Sequence, residues 1–146
     1  MSKVLTMHEL TERLLHLLSK TVYSKEQMES YVNRLGESFK WEGVPYVEIG
    51  ETCYIVTIYE RGVPSLTKKL EQVEEVLYWL LEDMIFTATH VTLLNKYGVD
   101  NMTTHLNYTS EVWRELDENV QAAFEMIGEP YLTWHQEGKR RELERY

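Results

Sequence analysis

The chain carries Cys53-Tyr54-Ile55-Val56-Thr57-Ile58-Tyr59-Glu60-Arg61-Gly62 at its centre. The first seven of these residues are β-branched, aromatic or small, the types that fit a pleated, half-buried surface. Tyr54, Val56 and Ile58 fall on one side of such a strand and Ile55 and Tyr59 on the other. With both sides apolar, the strand is expected at the centre of a sheet and covered on at least one face. Glu60-Arg61-Gly62 breaks the run as a turn, with Gly62 free to take positive φ. Beyond it Val63–Thr67 reads as a short third strand, and Pro64 suits an edge position because it cannot donate to a ladder.

A long helix is predicted over Lys68–Lys96. Leu70, Val73, Leu77, Leu80, Met84, Ala88 and Val91 recur at three- and four-residue steps, the period of a helix face. Glu71, Glu75 and Glu82 lie on the opposite side of that wheel. One flank lines up Gln72, Val76, Trp79, Asp83, Phe86 and His90, mixing aromatics with ionisable groups. Tyr97-Gly98 ends the helix.

Outward from this centre the pattern is equally local. Thr6-x-x-Glu9 reads as a capping box ahead of Leu10, Leu14, Leu17 and Leu18, a first helix ending near Val22. Ser24-x-x-Gln27 opens a second helix with Met28, Tyr31, Val32, Leu35 and Phe39 as its stripe. Gly36, Gly43 and Pro45 follow. Val44–Ile49 is the first strand candidate, joined to Thr52–Tyr59 by a Gly50-Glu51 turn. Residues 98–109 are polar and turn-like. Ser110 caps a helix whose buried face is Val112, Leu116, Val120, Phe124 and Ile127, stopped by Gly128 and Pro130. The tail holds Trp134 and Lys139-Arg140-Arg141, with room for a last short helix. The expected fold class is α+β: an antiparallel sheet of about three strands against four or five helices, in one domain spanning 1–146.

The 146 residues contain 24 acids and 15 bases, for a net charge of −9. Such a surface repels nucleic acid and anionic membranes and draws in basic partners. The single cysteine, Cys53, excludes an internal disulfide and a cysteine-built zinc site. No apolar run approaches the ~18 residues of a membrane span, and the first residues carry no signal-peptide core. A cytoplasmic protein is expected. Asn101-Met102-Thr103 and Asn107-Tyr108-Thr109 match glycosylation acceptors in spelling only.

No catalytic motif emerges. His8-Glu9 begins like a zinc-protease helix, but Glu12 stands where the second histidine belongs. His16, His90, His105 and His135 lack partners at chelating spacing. There is no Gly-x-Ser-x-Gly elbow and no phosphate-cradling glycine loop. Glu74-Glu75 and Glu82-Asp83 are adjacent, so on a helix each pair splays about 100° apart, which suits a solvated face better than shared acid–base work. No catalytic residue, metal or cofactor is expected. Ten Tyr and four Trp remain, the residue types that dominate protein–protein hot spots. Arg61 is either a surface charge or a forked partner for Asp83 or for a carboxylate of another molecule.

Tyr59-Glu60-Arg61-Gly62, then Leu77-Tyr78-Trp79-Leu80 and Asp83, resemble the immunity protein 63 family of bacteria. Its pattern is a tyrosine-bearing strand ending in an Arg-Gly turn, then a helix with a Leu-Tyr-Trp core and a nearby acid. The resemblance implies a small cytosolic protein that neutralises a toxin by binding and occlusion, without a reaction of its own. An acidic inhibitor suits a basic toxin, a nuclease being one candidate. Partner-binding candidates are Glu60, Arg61, Glu71, Glu75, Tyr78, Trp79, Glu82 and Asp83. The alternatives are a non-catalytic regulatory or adaptor protein, with homodimerisation through exposed aromatics as one form of it, and a small enzyme with a cleft near Trp79, Asp83 and His90.

Overall fold

A computed structural model describes residues 4–35, 44–97 and 109–145. The order is α1 (Met7–Leu18), α2 (Lys25–Asn33), β1 (Tyr46–Ile49), β2 (Tyr54–Glu60), β3 (Val63–Leu70), α3 (Val73–Lys96), α4 (Ser110–Ile127), α5 (Tyr131–Glu137) and α6 (Lys139–Leu143). It is an α+β arrangement with an antiparallel sheet in the order β1-β2-β3. The sheet has the expected size, and the described helices number six. Gly36, Phe39, Gly43, Gly98, Asn101, His105, Asn107 and the rest of 98–108 lie outside the described residues.

β2 is the central strand, as its two apolar faces require. Its partner β3 continues to Leu70, three residues past the expected end. Lys68 and Lys69 pair with Val56 and Ile55, and the ladder overrides the helical preference of that stretch. The long helix therefore starts at Val73 and not at Lys68. Its entry is marked by Gln72 in extended conformation. The β1–β2 turn is also displaced. Ile49 pairs with Tyr54, and the Gly50 N–H donates to the Cys53 carbonyl at 2.9 Å. Glu51 and Thr52 thus form the tip, where Gly50-Glu51 was expected. A Cβ at Gly50 would meet the Cys53 oxygen at 2.9 Å, so the close backbone approach explains the glycine.

The β2–β3 connection is a two-residue turn with positive φ at both Arg61 (53°) and Gly62 (77°). That is the type I′ geometry whose twist matches the flanking strands. Two pairs in from the turn the register slips between Ile58 and Tyr59. Ser65 is the extra residue, and its hydroxyl donates to the Ile58 carbonyl at 3.0 Å. This bulge and Pro64 both sit on β3, an edge strand, as expected for proline.

The helices begin where their caps stand. Glu9 N–H donates to Thr6 Oγ1 at 3.1 Å, and Thr6 N–H donates to Glu9 Oε1 at 3.0 Å, closing the box. Helix α1 ends at Leu18, a turn before the expected Val22. Gln27 N–H donates to Ser24 Oγ at 3.2 Å, but the Gln27 amide turns to Tyr31 Oη. The cap of α4 is Thr109, one residue before the expected Ser110.

α3 is enclosed. From Val76 to Glu82 every residue is buried, so the helix has no solvent side over that stretch, in contrast to the amphipathic α1 and α4. It touches α1, α2, α4, α5, α6, β2 and β3. Leu10, Leu14 and Leu18 of α1, Val56 of β2 and Leu116, Val120 and Phe124 of α4 join its side chains in one buried cluster. Each fully buried leucine contributes roughly 1.5–3 kcal/mol. Leu14→Ala should lower stability by roughly 2–5 kcal/mol through lost burial and the cavity left behind. Urea unfolding followed by tryptophan fluorescence would measure it.

Candidate functional site

The residues singled out from sequence separate into an exposed group and a buried group. Glu60, Arg61, Gly62 and Val63 form the exposed tip of the β2–β3 hairpin. Glu71 is exposed in the link to α3. Arg61 holds a left-handed backbone conformation that asparagine or glycine takes more cheaply.

Glu75, Tyr78, Trp79, Glu82 and Asp83 turn away from that surface. Glu75 is half-buried, with Lys139 Nζ at 3.4 Å, and that ammonium also lies 4.7 Å from the centre of the Trp134 ring. Tyr78 and Trp79 are wholly enclosed and offer no side-chain surface to another molecule. Trp79 belongs to the core, and among the described residues its Nε1 is buried without a hydrogen-bond partner.

Glu82 departs most from the sequence reading. It was expected on the solvent side of the long helix, and it is buried. The side opposite the apolar stripe is covered by α5 and α6. A buried carboxylate must be satisfied, and Glu82 is. Tyr78 Oη donates to Glu82 Oε2 at 2.5 Å, and His135 Nδ1 lies 3.0 Å from the same oxygen. The His135 ring stacks on Phe124 with centroids 4.4 Å apart and planes 9° from parallel, which sets its angle. Tyr78 Oη in turn accepts from the Arg140 N–H at 3.1 Å. Burial, then the bond to Glu82, push the Tyr78 phenol above its ordinary range, so it stays a neutral donor. An open hollow of about 360 Å³ lies beside this cluster, bordered by Glu82, His135, Gly138 and Arg140.

Asp83 points elsewhere. Desolvation pushes its carboxyl up to about 6, against the pull of Arg140 and Arg34, while Glu144 adds to the rise. Arg140 Nε is itself bonded to Glu144 Oε1 at 2.9 Å. The cavity at Asp83 is about 90 Å³ and is bordered by Arg34, Leu80 and Thr87, with neither Trp79 nor His90 among its lining. His90 stacks on Phe86 at 6.3 Å. Trp79, Asp83 and His90 are therefore not gathered around one cleft. Among the described residues no three His, Cys, Asp or Glu side chains are placed to hold a metal ion. No described helix is long and apolar enough to cross a membrane.

Sequence reasoning did not find His135. It stands 53 residues from Glu82, and no local pattern joins them. The Lys139-Arg140-Arg141 run is likewise absorbed by internal pairing at its first two positions.

Tyr78, Glu82 and His135 are engaged with one another inside, and the exposed groups sit on a hairpin tip and helix surfaces. That division is suited to an immunity protein, which meets its target with its exterior. The family model described as Immunity protein 63 matches residues 50–142, well over half of the chain, and the protein belongs to that family. Membership implies toxin neutralisation and a cognate toxin as the partner. No curated protein and no solved structure matches the chain.

Adjacent residues of α3 should respond oppositely to neutralisation. Glu82→Ala removes the carboxylate shared by Tyr78 Oη and His135 Nδ1, leaves Tyr78 only the Trp134 carbonyl at 3.3 Å, and should cost roughly 2–4 kcal/mol. Asp83→Asn should stabilise the protein at pH 7. The folded carboxyl titrates near 6 and the unfolded one near 3.8, so the native state binds more protons in between. Ionising Asp83 then costs on the order of 3 kcal/mol above pH 6. The gain from Asn should shrink as pH falls through that window and vanish below about pH 4. Urea midpoints at pH 4, 5.5 and 7.5 test both substitutions.

Proposed function

We propose that this protein neutralises its cognate toxin by stoichiometric binding and that the toxin is basic. Family membership carries the first part. The net charge of −9 supports the second, because an acidic surface steers and specifies encounters with a cationic partner. A nuclease fits this description, since its nucleic-acid-binding face is cationic and an acidic protein can cover it. The polar cluster around Glu82 supports a scaffold role for its residues, which leaves inhibition to occlusion.

Glu60, Arg61 and Glu71 are the contacts favoured among the residues singled out from sequence, because they are exposed. A left-handed non-glycine residue costs of order 1 kcal/mol or more, and such strain concentrates at functional positions. Arg61 in its turn conformation fits a role in recognition. Glu75, Tyr78, Trp79, Glu82 and Asp83 would then serve binding indirectly, by holding α3, α5 and α6 together.

The test is direct. The protein and the catalytically inactivated toxin domain encoded beside its gene should form a 1:1 complex by light scattering, and co-expression should rescue growth against the active toxin. Affinity should fall about 10-fold or more between 50 and 500 mM salt, because exposed charges are screened. Absence of both complex and rescue would remove the reading. Arg61→Asn should leave the fold as stable or more stable while weakening the complex.

A further inference from the structure

We propose that the toxin's main foothold is an apolar groove beside α4, lined by none of the partner-binding candidates read from the sequence. The inference rests on the toxin-binding reading above and names the surface. The groove has a volume of about 300 Å³ and is lined by Val22 and Tyr23 from the α1–α2 turn, Thr92 of α3, and Asn119, Ala122 and Met126 of α4. Val22 is 77% exposed and Met126 45%. Both side chains open onto the one hollow, where an apolar anchor from a partner would cover them together.

The groove is built before any partner arrives. Tyr23 Oη is hydrogen-bonded to Thr89 Oγ1. Thr89 Oγ1 also donates to the Ile85 carbonyl at 2.7 Å, so the α1–α2 turn is fastened to the central helix. A fixed hollow spares a partner the entropy of ordering it. Tyr23 is also a wall of a second hollow of about 400 Å³, floored by Leu15 and Met28. Glu12 and Glu29 border that hollow, with His8 Nε2 3.0 Å from Glu12 and Lys25 Nζ 3.7 Å from Glu29.

Charge selects the occupant. The exposed face of α4 carries Glu111, Asp117, Glu118 and Glu125 against the single cation Arg114. Glu118 stands one turn before Ala122, on the groove side of the helix. Arg114 Nε is 4.0 Å from Glu118, with both side chains 71% exposed, a pair too solvated to cancel the field. Glu115, further along, is already held by Lys96 and Tyr97. An apolar hollow beside a helix whose exposed positions are mostly acidic matches a segment with one aliphatic or aromatic anchor and neighbouring lysines or arginines. Interfaces commonly combine an apolar centre with a charged rim in this way. The anchor would set the lifetime of the complex and the α4 acids its rate of formation.

The experiment uses the full chain and the inactivated toxin domain encoded beside its gene. Val22→Lys and Met126→Lys change exposed positions, so both variants should keep the wild-type circular dichroism and melting temperature. Together they should weaken binding by roughly 100-fold, the scale of a lost anchor, mainly through faster dissociation. Glu118→Lys with Glu125→Lys should slow association by roughly 10-fold at low salt. Glu48→Lys, an exposed charge change on β1, should stay within about threefold of wild type, as a remote charge does. Wild-type binding that the groove variants leave intact overturns the inference while keeping the toxin-binding reading. A wild-type dimer that Val22→Lys converts to monomer overturns it too, since a second copy would then fill the groove. Failure of the wild type itself to bind removes the underlying reading instead.

Discussion

The enclosure of α3 is the constraint on which the rest depends. A helix buried on every side between Val76 and Glu82 needs cover from all directions. The sheet covers part of it, α1 and α2 another, and α4 to α6 the remainder. Such a helix cannot carry a charge inward without supplying its bonds. Glu82 is therefore matched by Tyr78 from the preceding turn and by His135 from α5. Removing one partner of such a set costs more than the set adds, because the others are left desolvated. The cluster fixes where α5 docks, and its residues are committed to that task.

This organisation explains how much of the molecule could be read from its residues. The strands between Tyr54 and Leu66 follow from side-chain type and turn chemistry, both local. The cap at Thr6–Glu9 is local as well. The start of the long helix is not. Lys68, Lys69 and Leu70 suit a helix in isolation, and only their pairing with Tyr54–Val56 holds them extended. Element boundaries are where a partner strand most easily outweighs intrinsic preference.

The candidate site divides along the same line. A helical wheel shows that Glu82 lies opposite the apolar stripe, but it does not show that the opposite side is covered too. That depends on α5 and α6, and on a contact with His135 that lies 53 residues further on. Trp79 and Tyr78 have the chemistry of interface residues and are core residues because of where α3 sits. The exposed hollow at Val22 and Met126 was hidden for the reverse reason. Val22 belongs to a turn and Met126 to the flank of an amphipathic helix, and neither signals anything until the fold brings them together.

The bulge at Ser65, Pro64 before it and the lysines after it shape the outer edge of β3. A kinked border that lacks one amide donor and carries cationic side chains is a poor template for annealing another chain's backbone. Recognition along that border must be written in side chains and not in the main-chain ladder. A code of that kind can be revised one residue at a time, which leaves an inhibitor free to track a changing adversary without disturbing its own sheet.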